Sequence, residues 1–200
     1  MLVDDLKIRL MAGELEEIAD ELLAAGNPKH FSKPQIDAVL SALAAKYGIE
    51  KDTMDASIVG SAKLGFSLLE KWDKQTRTTL PQFRLFSADS DVDIAIVSPT
   101  LFRLIWDELS IHADLTSRMP WDSGQLGDYM IHGWLRPDHF PKNCRLRRCD
   151  DWWDVFRGLS FKRTMGLRKI RGALYYSHEQ LRRYQIRGLK QSQLQLMKKL

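Results

Sequence analysis

The stretch Ser90-Asp91-Val92-Asp93-Ile94-Ala95-Ile96-Val97 constrains the fold more than any other part of this 200-residue chain. Polar and apolar residues alternate at its start, and four consecutive apolar residues follow. That is the pattern of a strand covered on both faces, hence a central one, with helices above and below it. The expected fold class is therefore α/β (α+β): a small mixed sheet flanked by helices. Asp91 and Asp93 stand at i and i+2, so they share one face of the strand, roughly 7 Å apart along the chain.

Helical spacing marks the flanking elements. Residues 4–25 carry Leu6, Leu10, Leu15, Ile18 and Leu22 near a 3.6-residue period and read as one helix, ended by Gly26-Asn27-Pro28. Ser32 caps a second helix with Pro34 in its first turn and Gly48 at its end, which completes an N-terminal helical pair. Ala56–Val59 is a short apolar strand running into Gly60, and residues 62–70 read as a helix. Residues 71–90 read as a long loop or a small excursion, 101–115 as a helix, 129–135 as a short strand, 151–159 as a helix and 169–176 as a strand. Ser177 with Gln180 forms a capping box for a basic C-terminal helix. Residues 1–50 are expected to pack as a helical segment on a core formed by residues 51–200, the whole making one unit.

With 44% hydrophobic and 28% charged residues the chain has an ordinary soluble composition. The N-terminus has no positive start followed by an apolar stretch, and no apolar run is long enough to cross a bilayer, so a cytoplasmic protein is expected. Two cysteines, Cys144 and Cys149, exclude a disulfide framework. A zinc site can be drawn from His132, His139, Cys144 and Cys149, but the spacings match no compact zinc pattern, and packing or surface roles are favoured.

Charge is unevenly distributed. Residues 1–144 hold 15 Lys+Arg against 22 Asp+Glu, while residues 145–200 hold 15 against 4. The basic end calls for an anionic partner, either a nucleic acid, nucleotide phosphates or an acidic protein surface, or else it docks on the acidic N-terminal part. Arg145, Arg147 and Arg148 precede Trp152 and Trp153, and Arg183 and Arg187 share a face of the last helix. Basic residues near aromatics suit a nucleic-acid backbone and its bases.

Two carboxylates on one strand face are what a pair of divalent ions needs for an in-line displacement at a triphosphate. A glycine that lets backbone approach phosphate, with a hydroxyl beside it, is the other half. Gly60-Ser61 supplies it. Gly60-Ser61 followed by Ser90-Asp91-Val92-Asp93-Ile94 resembles the signature of the DNA polymerase beta-like nucleotidyltransferase superfamily, over residues 56–98. The resemblance implies a metal-dependent nucleotidyltransferase that moves an NMP from an NTP, such as ATP, to an RNA, protein or nucleotide hydroxyl. Asp91 and Asp93 would be the catalytic residues and ligands of Mg2+ or Mn2+, and Gly60, Ser61, Lys63 and Ser90 would bind nucleotide. Lys169, Arg171, Arg183 and Arg187 are candidates for phosphate or nucleic-acid contacts. By analogy with small members of the superfamily, a prokaryotic toxin–antitoxin or antiviral setting is plausible.

Two departures stand out. Twenty-nine residues separate Ser61 from Asp91, a longer interval than minimal members have, so residues 66–90 should form an extended helix or an insertion such as a substrate-facing lid. The strand at 169–176 carries no third carboxylate, which leaves Asp150, Asp151 and Asp154 as candidates if their region folds back. The alternative is a catalytically inactive relative binding nucleotide, nucleic acid or a protein partner.

Overall fold

A computed structural model describes residues 1–24, 26, 31–73, 76–115, 123–140 and 146–199. Three helices come first: α1 (Val3–Ala12), α2 (Leu15–Ala24) and α3 (Lys33–Tyr47). Then follow β1 (Asp55–Val59), the short α4 (Gly60–Leu64), a hairpin of β2 (Lys71–Asp73) and β3 (Thr78–Leu80), and β4 (Val92–Val97). The second half holds α5 (Pro99–Leu115), α6 (Ser123–Ile131), β5 (Trp134–Leu135), α7 (Arg147–Leu159), β6 (Ile170–Tyr175) and α8 (His178–Met197). No described helix is long and apolar enough to cross a membrane.

The sheet is mixed, as expected, with order β1-β4-β6-β5. Strand β1 pairs antiparallel with β4, β4 parallel with β6, and β5 antiparallel with β6. Strand β4 is internal, and Val92, Ile94, Ala95 and Ile96 are fully buried. Burying each large apolar side chain contributes about 1.5–3 kcal/mol, which fixes the pairing against a one-residue slip. Val92, Ile94 and Ile96 face the main core, shared with α3, α5 and α7, while Ala95 and Val97 face Tyr175 and Leu181 under α8.

The helix expected over 4–25 is two helices. Gly13 adopts φ 85 between them, and the reversal lets Arg9 bond Glu14 and Glu21, both at 2.7 Å. The leucine spacing is continuous across this break, so periodicity alone hid it. Helices α1 and α2 pack on α8, whereas α3 packs on β1 and α7. Residues 1–50 therefore clasp the sheet from both sides.

Two further expectations are corrected, and one alternative is decided. The helix expected over 62–70 ends at Leu64, because Gly65 takes φ 86 and the chain turns into an extended ribbon. In that ribbon Phe66 bridges Leu85, and the Ser67 amide donates to the Arg84 carbonyl at 2.8 Å. Of the two readings of residues 71–90, a long loop or a small excursion, the structure has the second, an antiparallel excursion tipped by the β2–β3 hairpin. Gln82 Nε2 donates to the Ser192 carbonyl at 2.8 Å and the Glu70 amide to Gln195 at 2.9 Å, which anchors its stem to α8. The strand expected over 129–135 is reduced to Trp134–Leu135, since 129–131 complete α6 and Pro137 stops the pairing.

Candidate functional site

Strand β1 ends at Val59, opposite Asp93. Gly60 then turns the chain into α4 with φ 64, a left-handed conformation that favours glycine. A Cβ on Gly60 would lie 3.3 Å from Asp93 Oδ2. The turn and the carboxylate are therefore in contact across the 29-residue interval between Ser61 and Asp91.

They border a cavity of about 540 Å3 on the α8 side of the sheet, lined in part by Gly60, Ser61 and Asp93. Arg136, Arg171 and Arg187 converge on it from β5, β6 and α8, and Lys71 and Arg84 from the ribbon. Among the described lining residues these five cations face one acid, Asp93, so the cavity carries a clear excess of positive charge. Its aromatic wall is Trp134 packed at a tilt against Tyr184 with ring centres 4.9 Å apart, and Tyr184 edge-to-face with Tyr175 at 5.5 Å.

Asp93 touches the cavity yet is surrounded by protein. Burial pushes its carboxyl above the ordinary value, opposed by the charges of Arg136 and Arg171 and reinforced by that of Asp91. Asp91 lies outside the lining, where Arg171 Nη2 meets its Oδ2 at 2.7 Å. In the parallel register Arg171 is also the partner of Asp93. A guanidinium thus occupies the strand position from which a third carboxylate could have reached the pair.

Arg136 is clamped by Asp138, Nε to Oδ1 at 2.8 Å and Nη2 to Oδ2 at 2.7 Å. Burial alone would raise the Asp138 carboxyl, but the hydrogen bond and charge of Arg136 outweigh it and hold it below the ordinary value. Arg187 Nη1 lies 3.2 Å from His132 Nδ1, and its Nη2 is buried without a hydrogen-bond partner among the described residues. An unpaired buried guanidinium nitrogen beside an open cavity is a place for an anionic oxygen.

The other residues singled out in the sequence go elsewhere. Lys63 Nζ donates to the Gly26 carbonyl at 2.6 Å, on the far side of α4, and burial lowers its ammonium. Ser90 Oγ accepts from the Ser87 amide at 3.0 Å and shapes the approach to β4. Lys169 is exposed, outside this cavity, and Arg183 pairs with Glu179 at 2.7 Å on the solvent side of α8. Asp151 binds Lys46 at 3.0 Å with Asp154 nearby at 3.8 Å, so both serve the α3–α7 contact. Cys149 is buried in the main core and His132 is engaged with Arg187, while Cys144 and Arg145 lie outside the described residues. Part of the basic end does dock on the acidic N-terminus, with Arg182 bonding Asp20 at 2.6 Å and Glu16 at 3.2 Å.

Sequence reasoning missed Arg136, Lys71, Arg84, Trp134 and Tyr184. For Arg136 a signal existed: in Trp134-Leu135-Arg136-Pro137 the proline ends the strand and leaves the arginine at its rim. No family model matches the chain, and no curated protein or solved structure matches it. The functional reading rests on the sequence motif and on the geometry that brings its parts together.

Proposed function

We propose that the chain is a metal-dependent nucleotidyltransferase that binds a nucleoside triphosphate between the Gly60-Ser61 turn and α8. The observation that carries this reading is the contact of Gly60 with Asp93 at the mouth of a cavity with five cationic side chains. The turn leaves space for a phosphate beside the backbone, and Arg136, Arg171 and Arg187 supply charge and donors to the remaining oxygens. The rings of Trp134 and Tyr184 offer an apolar face to a nucleobase.

The donor set fits a hard divalent cation: Asp91 and Asp93 contribute carboxylate oxygens from one strand face, and magnesium is commonly held by one or two carboxylates plus substrate phosphates. Magnesium or manganese bound there supplies charge neutralisation at the attacking and leaving oxygens. Arg171 must release Asp91 for this, and the incoming phosphate offers it a replacement anion. The transfer joins the acceptor oxygen to the α-phosphorus, breaks the bond to the bridging oxygen and releases pyrophosphate, with the hydroxyl proton passing to water.

The test is transfer of label from each α-labelled NTP, with magnesium or manganese, into nuclease- or protease-sensitive material of a cell lysate. Transfer that disappears in Asp91→Asn and Asp93→Asn supports the reading, and transfer unchanged in both contradicts it. The second reading, an inactive relative that holds nucleotide without transfer, is favoured by one specific observation: Arg171 neutralises Asp91 and stands opposite Asp93. Triphosphate binding without any transfer is its signature. Cytoplasmic location and a defence or toxin–antitoxin role belong to the same proposal.

A further inference from the structure

Behind the wall formed by Arg136 and Arg171 lies a second cavity of about 370 Å3, which shares these two residues with the first. Trp153, Arg157, Phe161, Lys169 and His139 are among its other lining residues, and the one acid among the described lining residues, Asp138, is already clamped by Arg136. We propose that this cavity takes a terminal nucleotide of a single-stranded nucleic acid. The identification of that strand as the acceptor rests on the reading of the first cavity, whereas the binding itself does not.

Three observations carry the proposal. The volume is near the lower end of the range for small-ligand sites, about 300–1,000 Å3, and so accommodates a single residue rather than a duplex. Aromatic rings and cations share its lining, with the Arg157 guanidinium over the Trp153 ring, 4.6 Å from its centre, and Lys169 exposed. Bases of a single strand stack on such rings while the cations follow the phosphates. Phe161, finally, is 65% exposed and held with φ 60, a left-handed backbone state that is unfavourable for a bulky residue. The turn is fixed by the Phe161 amide, which donates to the Arg168 carbonyl at 2.9 Å. Arg168 in turn donates to the Ala88 carbonyl at 3.1 Å and lies 4.7 Å from the Phe86 ring centre, next to the entry of β4. The exposed ring is thereby tied to the segment that carries Asp91. A protein acceptor would need the hydroxyl but not this succession of cations, whereas the phosphate preceding a terminal nucleotide needs them.

The experiment is fluorescence anisotropy of a labelled oligoribonucleotide of about ten residues, or its deoxy counterpart, against the full chain. Arg157→Glu combined with Lys169→Glu is expected to weaken binding at least ~10-fold and to flatten its salt dependence. Phe161→Asn, which suits the left-handed backbone, is expected to weaken it about 5-fold or more through lost stacking, with the salt dependence kept. Binding of a non-hydrolysable triphosphate with manganese is followed in the same proteins and is expected to persist. Oligonucleotide affinity within about 2-fold of wild type in these variants overturns the proposal. So does equal competition by poly-glutamate or by a duplex, or a parallel loss of triphosphate binding. Oligonucleotide binding with the expected variant pattern, in a wild-type protein that binds no triphosphate, supports this site and removes only the reading of the first cavity.

Discussion

Arg171 holds Asp91 at 2.7 Å while standing opposite Asp93 in the register of β4 and β6. One arginine therefore contacts the outer carboxylate and lines the cavity that the inner one borders. Replacing it separates the two roles. In Arg171→Met, Asp91 loses its counter-charge, so manganese alone should bind a few-fold more tightly, as read from free Mn2+ by electron paramagnetic resonance. Triphosphate without metal should bind about 10-fold or more weakly, the loss of one charge-assisted hydrogen bond of about 1.5–3 kcal/mol. Movement of both affinities in the same direction would contradict this division.

Gly60 is required twice, by its φ of 64 and by the 3.3 Å approach of Asp93 Oδ2 to the position of a Cβ. Gly60→Ala should destabilise the protein by about 1–2 kcal/mol and displace the carboxylate, lowering triphosphate affinity further than Ser61→Ala does. Urea unfolding and calorimetric titration of both variants check the stability and the affinity separately.

Gly172 is constrained from the opposite face of the sheet. A Cβ there would lie 2.2 Å from Phe156 Cζ and 2.6 Å from Trp152 Cζ2, both in buried residues. Gly172→Ala should cost at least the ~1–3 kcal/mol typical of overpacking, read as a lower urea midpoint. Unaltered stability would show that α7 does not pack against β6 in this way.

The Arg136–Asp138 pair predicts a pH dependence. Because the folded carboxyl of Asp138 lies below its unfolded value, the pair contributes stability above the unfolded value, lost as pH falls through the folded one. Asp138→Asn should therefore be less stable than wild type by a constant margin at neutral pH. The margin should close in the acid range below about pH 4, where the unfolded carboxylate is protonated. Thermal unfolding of the two proteins across that range gives the answer.

How far the sequence reveals the structure depends on whether a signal is local. Strand β4 was legible because Ile94–Val97 is apolar without interruption, and the meeting of Gly60 with Asp93 was legible as a resemblance. The cations were not. Arg187 sits three residues from Tyr184 and two from Leu189 on α8, and only the packing of α8 through Leu181 against Ala95 and Tyr175 decides that it faces the cavity and Arg183 the solvent. Lys63 follows Gly60-Ser61 closely, yet the short α4 turns it away to Gly26. The ribbon over residues 65–86 escaped because its pairing joins Ser67 to Arg84, and its anchor on Ser192 lies 110 residues from Gln82. Nothing in the alternation of so mixed a segment announces such partners.

The central claim is that Gly60-Ser61, Asp91 and Asp93 form one site for a metal-bound triphosphate. It is tested most directly by calorimetric titration of a non-hydrolysable nucleoside triphosphate into the full chain, with and without manganese, in wild type and in Asp91→Asn/Asp93→Asn. Binding that manganese strengthens is expected in wild type, with the metal-dependent gain abolished in the double variant. Absence of binding in wild type, or a manganese-dependent gain that survives loss of both carboxylates, would contradict it.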